Sequence, residues 1–197
     1  MRIRRFQMKD MVEMVVLYQK CFSEAPWFEV HDAKDVQRMF RKYAKTDAKP
    51  DMVVCVCEQD GRLVGGAIGF HIWYKQEVLK LISAHCEIHF SAHDSVDREP
   101  YQEIQGVFYF AELFVDPSVR GQGIGKALIE ERLAFARRRG YQKGVVRTSL
   151  DQKVIQHLYK DQLGFKEVAR QALLAKKLID GVEEELAYTS VIMVGKI

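Results

Sequence analysis

The spacing of hydrophobic positions changes several times along the chain, and each change marks an element. Residues 1–6 read as a strand. From 8 to 22 the apolar side chains Met11, Met14, Val15, Tyr18 and Phe22 recur every three or four positions, which places them on one helix face. Residues 23–28 contain Pro26 and read as a loop. A second helix is predicted over 32–43, with Val36, Met39, Phe40 and Tyr43 on one stripe and Asp32 as its cap. The apolar runs 52–58 and 63–73 flank Asp60-Gly61, a hairpin turn signal, and predict a strand and its return. Gly65 and Gly66 mark a bulge or a close backbone contact in the second of them.

The stretch 74–105 is less regular. Residues 77–90 carry a helical pattern, and 91–100 are polar and loop-like. Residues 107–115, VFYFAELFV, form a strong buried strand. Asp116-Pro117 ends it, because proline has no amide to donate. A helix follows over 125–139, with Arg137, Arg138 and Arg139 in its negative last turn and Gly140 just beyond. Residues 144–148 read as a strand and 154–161 as a short helix capped by Ser149 or Asp151. Two last strands, 166–174 and 185–194, surround an Asp180-Gly181 turn. This alternation predicts an α+β chain with one mixed sheet and helices on both faces.

Composition narrows the class. The 197 residues suit a single domain over 1–197, and 48% hydrophobic with 29% charged residues excludes a disordered or low-complexity chain. A net charge of +3 is too small to point to nucleic acid. No apolar run approaches the roughly 18 residues a membrane span needs. The first residues carry Asp10 and Glu13 and lack an apolar segment, against a secretory or transit peptide, so the expectation is a cytoplasmic protein. Four cysteines in a chain of this length are no disulfide framework.

The segment most informative about chemistry runs from Phe114 to Ala127, FVDPSVRGQGIGKA. A buried strand stops, and a turn with Gly121, Gly123 and Gly125 opens directly into a helix. The first amides of a helix have no internal partner, and glycines remove side chains that would hold a ligand away. The result is an anion cradle suited to phosphate oxygens. A Walker loop is excluded, because Ala127 follows Lys126 and Arg120 stands five before Gly125. The dinucleotide fingerprint also fails, since its third glycine falls on Lys126 or Leu128. What remains is Arg-Gly-x-Gly-x-Gly after a strand ending in Val-Asp-Pro.

This segment resembles the pyrophosphate-binding motif of the GNAT superfamily of N-acetyltransferases. The resemblance covers nearly the whole chain. A second signature, Leu158-Tyr159 with Leu163-Gly164-Phe165, is similar to the family's tyrosine helix and Leu-Gly-Phe. Two departures stand out: one more residue separates Tyr159 from Leu163 than is common, and Asp151 or Gln152 stands where an asparagine often does. The resemblance implies a twisted mixed sheet of about six or seven strands with about four helices. It implies acetyl-CoA as co-substrate, held by Leu113, Phe114, Val115, Arg120, Gly121, Gln122, Gly123, Ile124, Gly125, Lys126 and Lys160. The competing reading of the loop is a glycine-rich turn without a ligand. For Lys126 it is a solvated helix residue.

Acetyl transfer to an amine requires a base, an oxyanion donor and an acid for the departing thiolate. An alkyl amine is largely protonated at neutral pH, with a reference pKa of about 10.4. Glu112 is the candidate base, as the only carboxylate in the apolar run 107–115; a solvent-facing edge glutamate is the alternative. The resemblance suggests the amide near Val115 as oxyanion donor. Tyr159 is the candidate acid, against a half-buried tyrosine with a satisfied hydroxyl. Trp27, Phe28 and Glu29, with His31 and Asp32, fall where the family's first helices meet the acceptor cleft. An aromatic wall with carboxylates there suits a cationic amine; a core role for Trp27 is the alternative. A small molecule is the acceptor expected. Residues 74–105 are long for the family and suggest an acceptor lid or a dimer element. Transfer in a ternary complex is the expected route. A protein amino terminus or lysine as acceptor, or a CoA-sensing domain without turnover, are the alternatives.

Other constellations are weaker. His85, His89 and His93 stand four apart near Cys86 and His71, but spell out no closed metal set, so no metal is expected. Cys55 and Cys57 share a strand face as core residues. The Arg137–Arg139 run reads as a cationic helix end rather than a nucleic-acid contact.

Overall fold

The computed structural model describes residues 1–25, 27–44, 51–72, 75–83 and 106–197. Among the described residues seven strands form one sheet: β1 (Arg2–Arg5), β2 (Met52–Gln59), β3 (Arg62–His71), β4 (Val107–Val115), β5 (Lys143–Ser149), β6 (Lys166–Ile179) and β7 (Val182–Lys196). Their spatial order is β1-β2-β3-β4-β5-β7-β6. Among the described residues only the β4–β5 pair is parallel. Among the described residues the helices are α1 (Met11–Ser23), α2 (Ala33–Ala44), α3 (Gln76–Ser83), α4 (Ile124–Arg138) and α5 (Lys153–His157). No described helix is long and apolar enough to cross a membrane.

Side-chain alternation divides the core into two layers. Met52, Val54 and Val56 of β2 face α1, α2 and α3, where Met14, Tyr18, Phe40 and Ile82 are buried. Val53, Cys55 and Cys57 face the opposite layer, built on Leu128, Leu133 and Ala136 of α4. The two cysteines are therefore core residues, as expected. Strand glycines make room for rings: a Cβ on Gly66 would lie 2.4 Å from Phe114 Cζ and 2.5 Å from Met14 Cε. The expected close contact is therefore present at Gly66.

Several boundaries move. The first helix is preceded by a 3-10 turn over Met8–Asp10, whose Asp10 carboxylate accepts from Arg4 Nη1 (2.7 Å) and the Gln7 amide (2.8 Å). Asp32 does cap α2, accepting from the amides of Lys34 and Asp35 at 2.8 and 3.2 Å. The last two strands are longer than their hydrophobic runs, at 14 and 15 residues, because pairing continues to Ile179–Val182 beside the turn. The expected helix over 77–90 appears as α3, and its remainder lies outside the described residues, as do His85, Cys86, His89 and His93.

The expected cap of the last helix needs correction. Neither Ser149 nor Asp151 caps α5; Gln152 holds the cap position without a side-chain bond. Gln156 instead reaches back, its Nε2 donating to the carbonyls of Ser149 (3.1 Å) and Leu150 (2.7 Å). The helix then widens into a π turn over Leu158–Gln162. A π turn takes up one extra residue without displacing its flanks. That is how the longer spacer is accommodated.

Candidate active site

The site begins where the sheet comes apart. β4 and β5 pair only from Val107–Lys143 to Phe110–Val146, although both strands continue. Beyond Phe110 the two strands splay. On its other side β4 carries a bulge: Leu113 pairs Ala67 and Phe110 pairs Gly69, so Ala111 and Glu112 together oppose Ile68. Phe108 and Phe110 face α4, and simple alternation would turn Glu112 the same way. The bulge reverses the phase. Ala111 and Phe114 pack with the α1 layer, Leu113 with the α4 layer, and Glu112 emerges toward α1.

There the Tyr18 hydroxyl donates to Glu112 Oε2 at 3.4 Å. Burial is the largest influence on this carboxyl and pushes its pKa above the ordinary value. Lys75 and His31 oppose that rise, Glu29 adds to it, and the Tyr18 bond opposes it. A carboxylate raised in this way is a stronger base than one in water. Glu29, whose charge acts on Glu112, has its Oε2 2.9 Å from His31 Nε2 and is not among the residues that line the cleft at the splay. His31 packs against Tyr18 and Phe22 with ring centroids 5.1 and 5.5 Å apart.

An open cleft connects this face to the splay. Glu112, Leu113, Arg132, Arg147 and Tyr159 all line it, with Phe22 and Trp27 as apolar wall. Tyr159 is 1% exposed, and its hydroxyl accepts from Arg132 Nη2 at 3.2 Å. Burial raises the phenol pKa, and the neighbouring guanidinium opposes that rise. Arg147, on β5, donates through Nη1 to Gln171 Oε1 at 3.3 Å.

The glycine turn lies at the mouth of the splay. Asp116 caps a short 3-10 turn, Pro117–Val119, and Gly123 then occupies the cap of α4 with φ 79°. Gly121 has φ 81°; both glycines hold left-handed backbone that other residues adopt with strain. No described residue accepts from the amides of Gly121, Gln122, Gly123, Ile124, Gly125 or Lys126. A Cβ on Gly121 or Gly123 would meet nothing within 4 Å, so these positions border open space. A ring of free N–H groups at a helix start, facing space kept clear of side chains, fits a diphosphate. Arg120 folds back, its Nε donating to the Val115 carbonyl at 3.2 Å, and Lys126 is exposed.

The structure brings Glu112, Leu113, Tyr159 and Trp27 together around one cleft; the residues of the glycine turn are not among those that line it. Phe28 is not among the lining residues; it is 42% exposed, at φ 49°. Lys160 is engaged, its Nζ 2.7 Å from Glu167 Oε2. His71 is buried, and no group of three described metal-ligating residues occurs. Sequence reasoning missed Arg132, Tyr18 and Arg147. The signal for Arg132 was present: it stands four residues from both Leu128 and Ala136, a lone cation on the buried stripe of α4.

A family model described as acetyltransferase (GNAT) family matches residues 11–165. No curated protein matches the chain. Among solved structures, a ribosomal-protein-alanine N-acetyltransferase from Brucella melitensis aligns with TM-score 0.66 at 16% identity, covering 100% of both chains. An N-acetyltransferase from Staphylococcus aureus Mu50 gives 0.64 at 15%, over 97% of this chain and 96% of that one. The structure of yncA from Salmonella typhimurium, solved with its cofactor acetyl-CoA, gives 0.64 at 16%, over 100% and 93%. At these identities the likeness is one of fold.

Proposed function

The chain belongs to the GNAT acetyltransferase family, an acetyl-CoA-dependent acyltransferase, and from that premise we propose that it acetylates a small-molecule primary amine by direct transfer. Acetyl-CoA supplies an activated thioester acetyl. The remaining work falls to the chain. The free amides from Gly121 to Lys126 hold the diphosphate, with Arg120 and Lys126 as neighbouring cations. The strand edge at Leu113, Phe114 and Val115, unpaired by β5 beyond Phe110, receives the rest of the cofactor, and the Val115 amide faces the developing oxyanion. Glu112 takes the proton of the incoming ammonium. Tyr159 gives its proton to the departing sulfur and recovers one from the nitrogen through solvent, so atoms and charge balance. Trp27 and Glu29 form the acceptor side.

One observation carries this reading: a carboxylate of raised pKa and a buried phenol, from elements on opposite sheet faces, line a single cleft at the splay. The test is a Glu112→Gln variant assayed by thiol release across an amine panel. We expect kcat to fall about 10²-fold or more, with the KM for acetyl-CoA little changed. The acid limb of the pH profile, set by Glu112, disappears in this variant. Unchanged rates at every pH would remove Glu112 from the reaction. Turnover only on peptide amino termini would replace the small-molecule acceptor.

A further inference from the structure

Arg132 is the buried cation of the cleft, and the transfer chemistry leaves it without a role. Its side chain is 1% exposed, yet no carboxylate among the described residues pairs with it. A buried charge without a counter-ion is costly, and removing it from water must be compensated by other contacts. Those contacts are specific. Nη1 donates to the carbonyls of Ile68 (3.0 Å) and Glu112 (3.2 Å), the two carbonyls facing each other across the β4 bulge. Nη2 donates to Tyr159 Oη at 3.2 Å, and the guanidinium carbon lies 5.2 Å from the Phe110 ring centroid. Nε has no partner among the described residues. An aliphatic side chain would fill this position on α4 at lower cost, so the geometry points to a function that packing alone does not need.

We propose that Arg132 is a positioning residue, which fixes the proton of Tyr159 toward the cleft and holds the Glu112 bulge in register with it. Guanidinium is a donor only. A phenol keeps its O–H in the plane of the ring, where it has two positions to choose from. Arg132 occupies the acceptor site on one side, so the proton takes the other; Tyr159 lines the cleft, and in this proposal the proton points there. The same cation favours negative charge on the oxygen as the proton leaves. Through Nη1 it ties the main chain of Glu112 to the tyrosine, so acid and base are set by one side chain.

This inference rests on Tyr159 being the acid, and the experiment separates the two claims. Wild type, Tyr159→Phe, Arg132→Met, Arg132→Lys and the double variants are compared by kcat, KM for acetyl-CoA and thermal melting. Arg132→Met is expected to lower kcat about tenfold or more while the KM for acetyl-CoA stays within about twofold. Introduced on top of Tyr159→Phe, the same change is expected to cost clearly less than it does in wild type, because the partner hydroxyl is gone and only the hold on the Glu112 bulge is left to lose. Arg132→Lys keeps the charge and a donor and is expected to restore part of kcat. It also carries the comparison if the methionine variant does not fold. Equal losses with and without the Tyr159 hydroxyl would overturn the role of Arg132 and leave Tyr159 in place. Full activity of Tyr159→Phe would overturn both.

Discussion

Asp116 joins the end of β4 to the glycine turn, and a single atom of it does most of the joining. Its Oδ1 accepts from Lys20 Nζ on α1 (2.8 Å) and from the Ser118 amide (2.9 Å) and hydroxyl (2.7 Å). Burial alone would raise this carboxyl, but the Lys20 and Ser118 bonds prevail and bring it down to about 2 from 3.8. A group depressed on folding stabilises the protein above its unfolded pKa, and that stability is lost as pH falls through the folded one. The window is therefore about pH 4 down to 2. With about 1.4 kcal/mol per unit, discounted for the half-exposed Lys20, the contribution is about 1–2 kcal/mol. Asp116→Asn is expected to lower Tm by about 2–8 °C at pH 7. The gap should narrow as both proteins are melted at pH 5, 4 and 3; a gap independent of pH would refute the assignment. Individual residues of this kind were only partly legible in the sequence. Glu112 could be singled out as the one carboxylate in an apolar strand. The side it faces could not, since that depends on a bulge set by pairing with β3.

Elements were legible where their own residues carry the signal. The Asp60-Gly61 and Asp180-Gly181 turns, the Asp32 cap and the glycine turn are all local, and all stand where the sequence puts them. Features created by pairing were not. The outer parts of β6 and β7 are exposed and only weakly apolar, and they exist because each strand hydrogen-bonds the other. The π turn is intermediate: one extra residue before Leu163 was visible, but only packing decides that the helix widens rather than shifts. It keeps Tyr159 within 5.1 Å of Phe165, ring centroid to centroid. Gly66 gives a test at this scale. An alanine there drives a Cβ into Phe114 and Met14, the contact that seats α1 on the strand bearing Glu112. Overpacking of this kind costs about 1–3 kcal/mol. Gly66→Ala is expected to lower Tm by about 2–10 °C. A melting temperature equal to wild type would show that α1 lifts away without cost.

At the scale of the molecule, the sheet is a wall between two packed layers, and the splay is the opening in it. The free amides of the glycine turn belong to the α4 layer, and Glu112, Glu29 and the Tyr18–Phe22 aromatic group belong to the α1 layer. A diphosphate-bearing donor and an amine can therefore be seated from opposite faces and meet between β4 and β5. A two-step route through an acetylated enzyme would instead need a nucleophile at that opening. The described cysteines do not supply one. Cys55 and Cys57 are buried in the α4-side core with burial-raised thiol pKa values, and burial pushes Cys21 up to about 12. A thiol held protonated is a poor nucleophile. Initial rates measured over a grid of acetyl-CoA and amine concentrations are expected to give intersecting double-reciprocal lines, the pattern of a ternary complex. Incubation with acetyl-CoA alone should leave no acetyl group on the intact chain by mass spectrometry. Parallel lines together with an acetylated chain would mean that transfer proceeds through the protein, and Glu112 would then act on a nucleophile of the enzyme instead of on the amine.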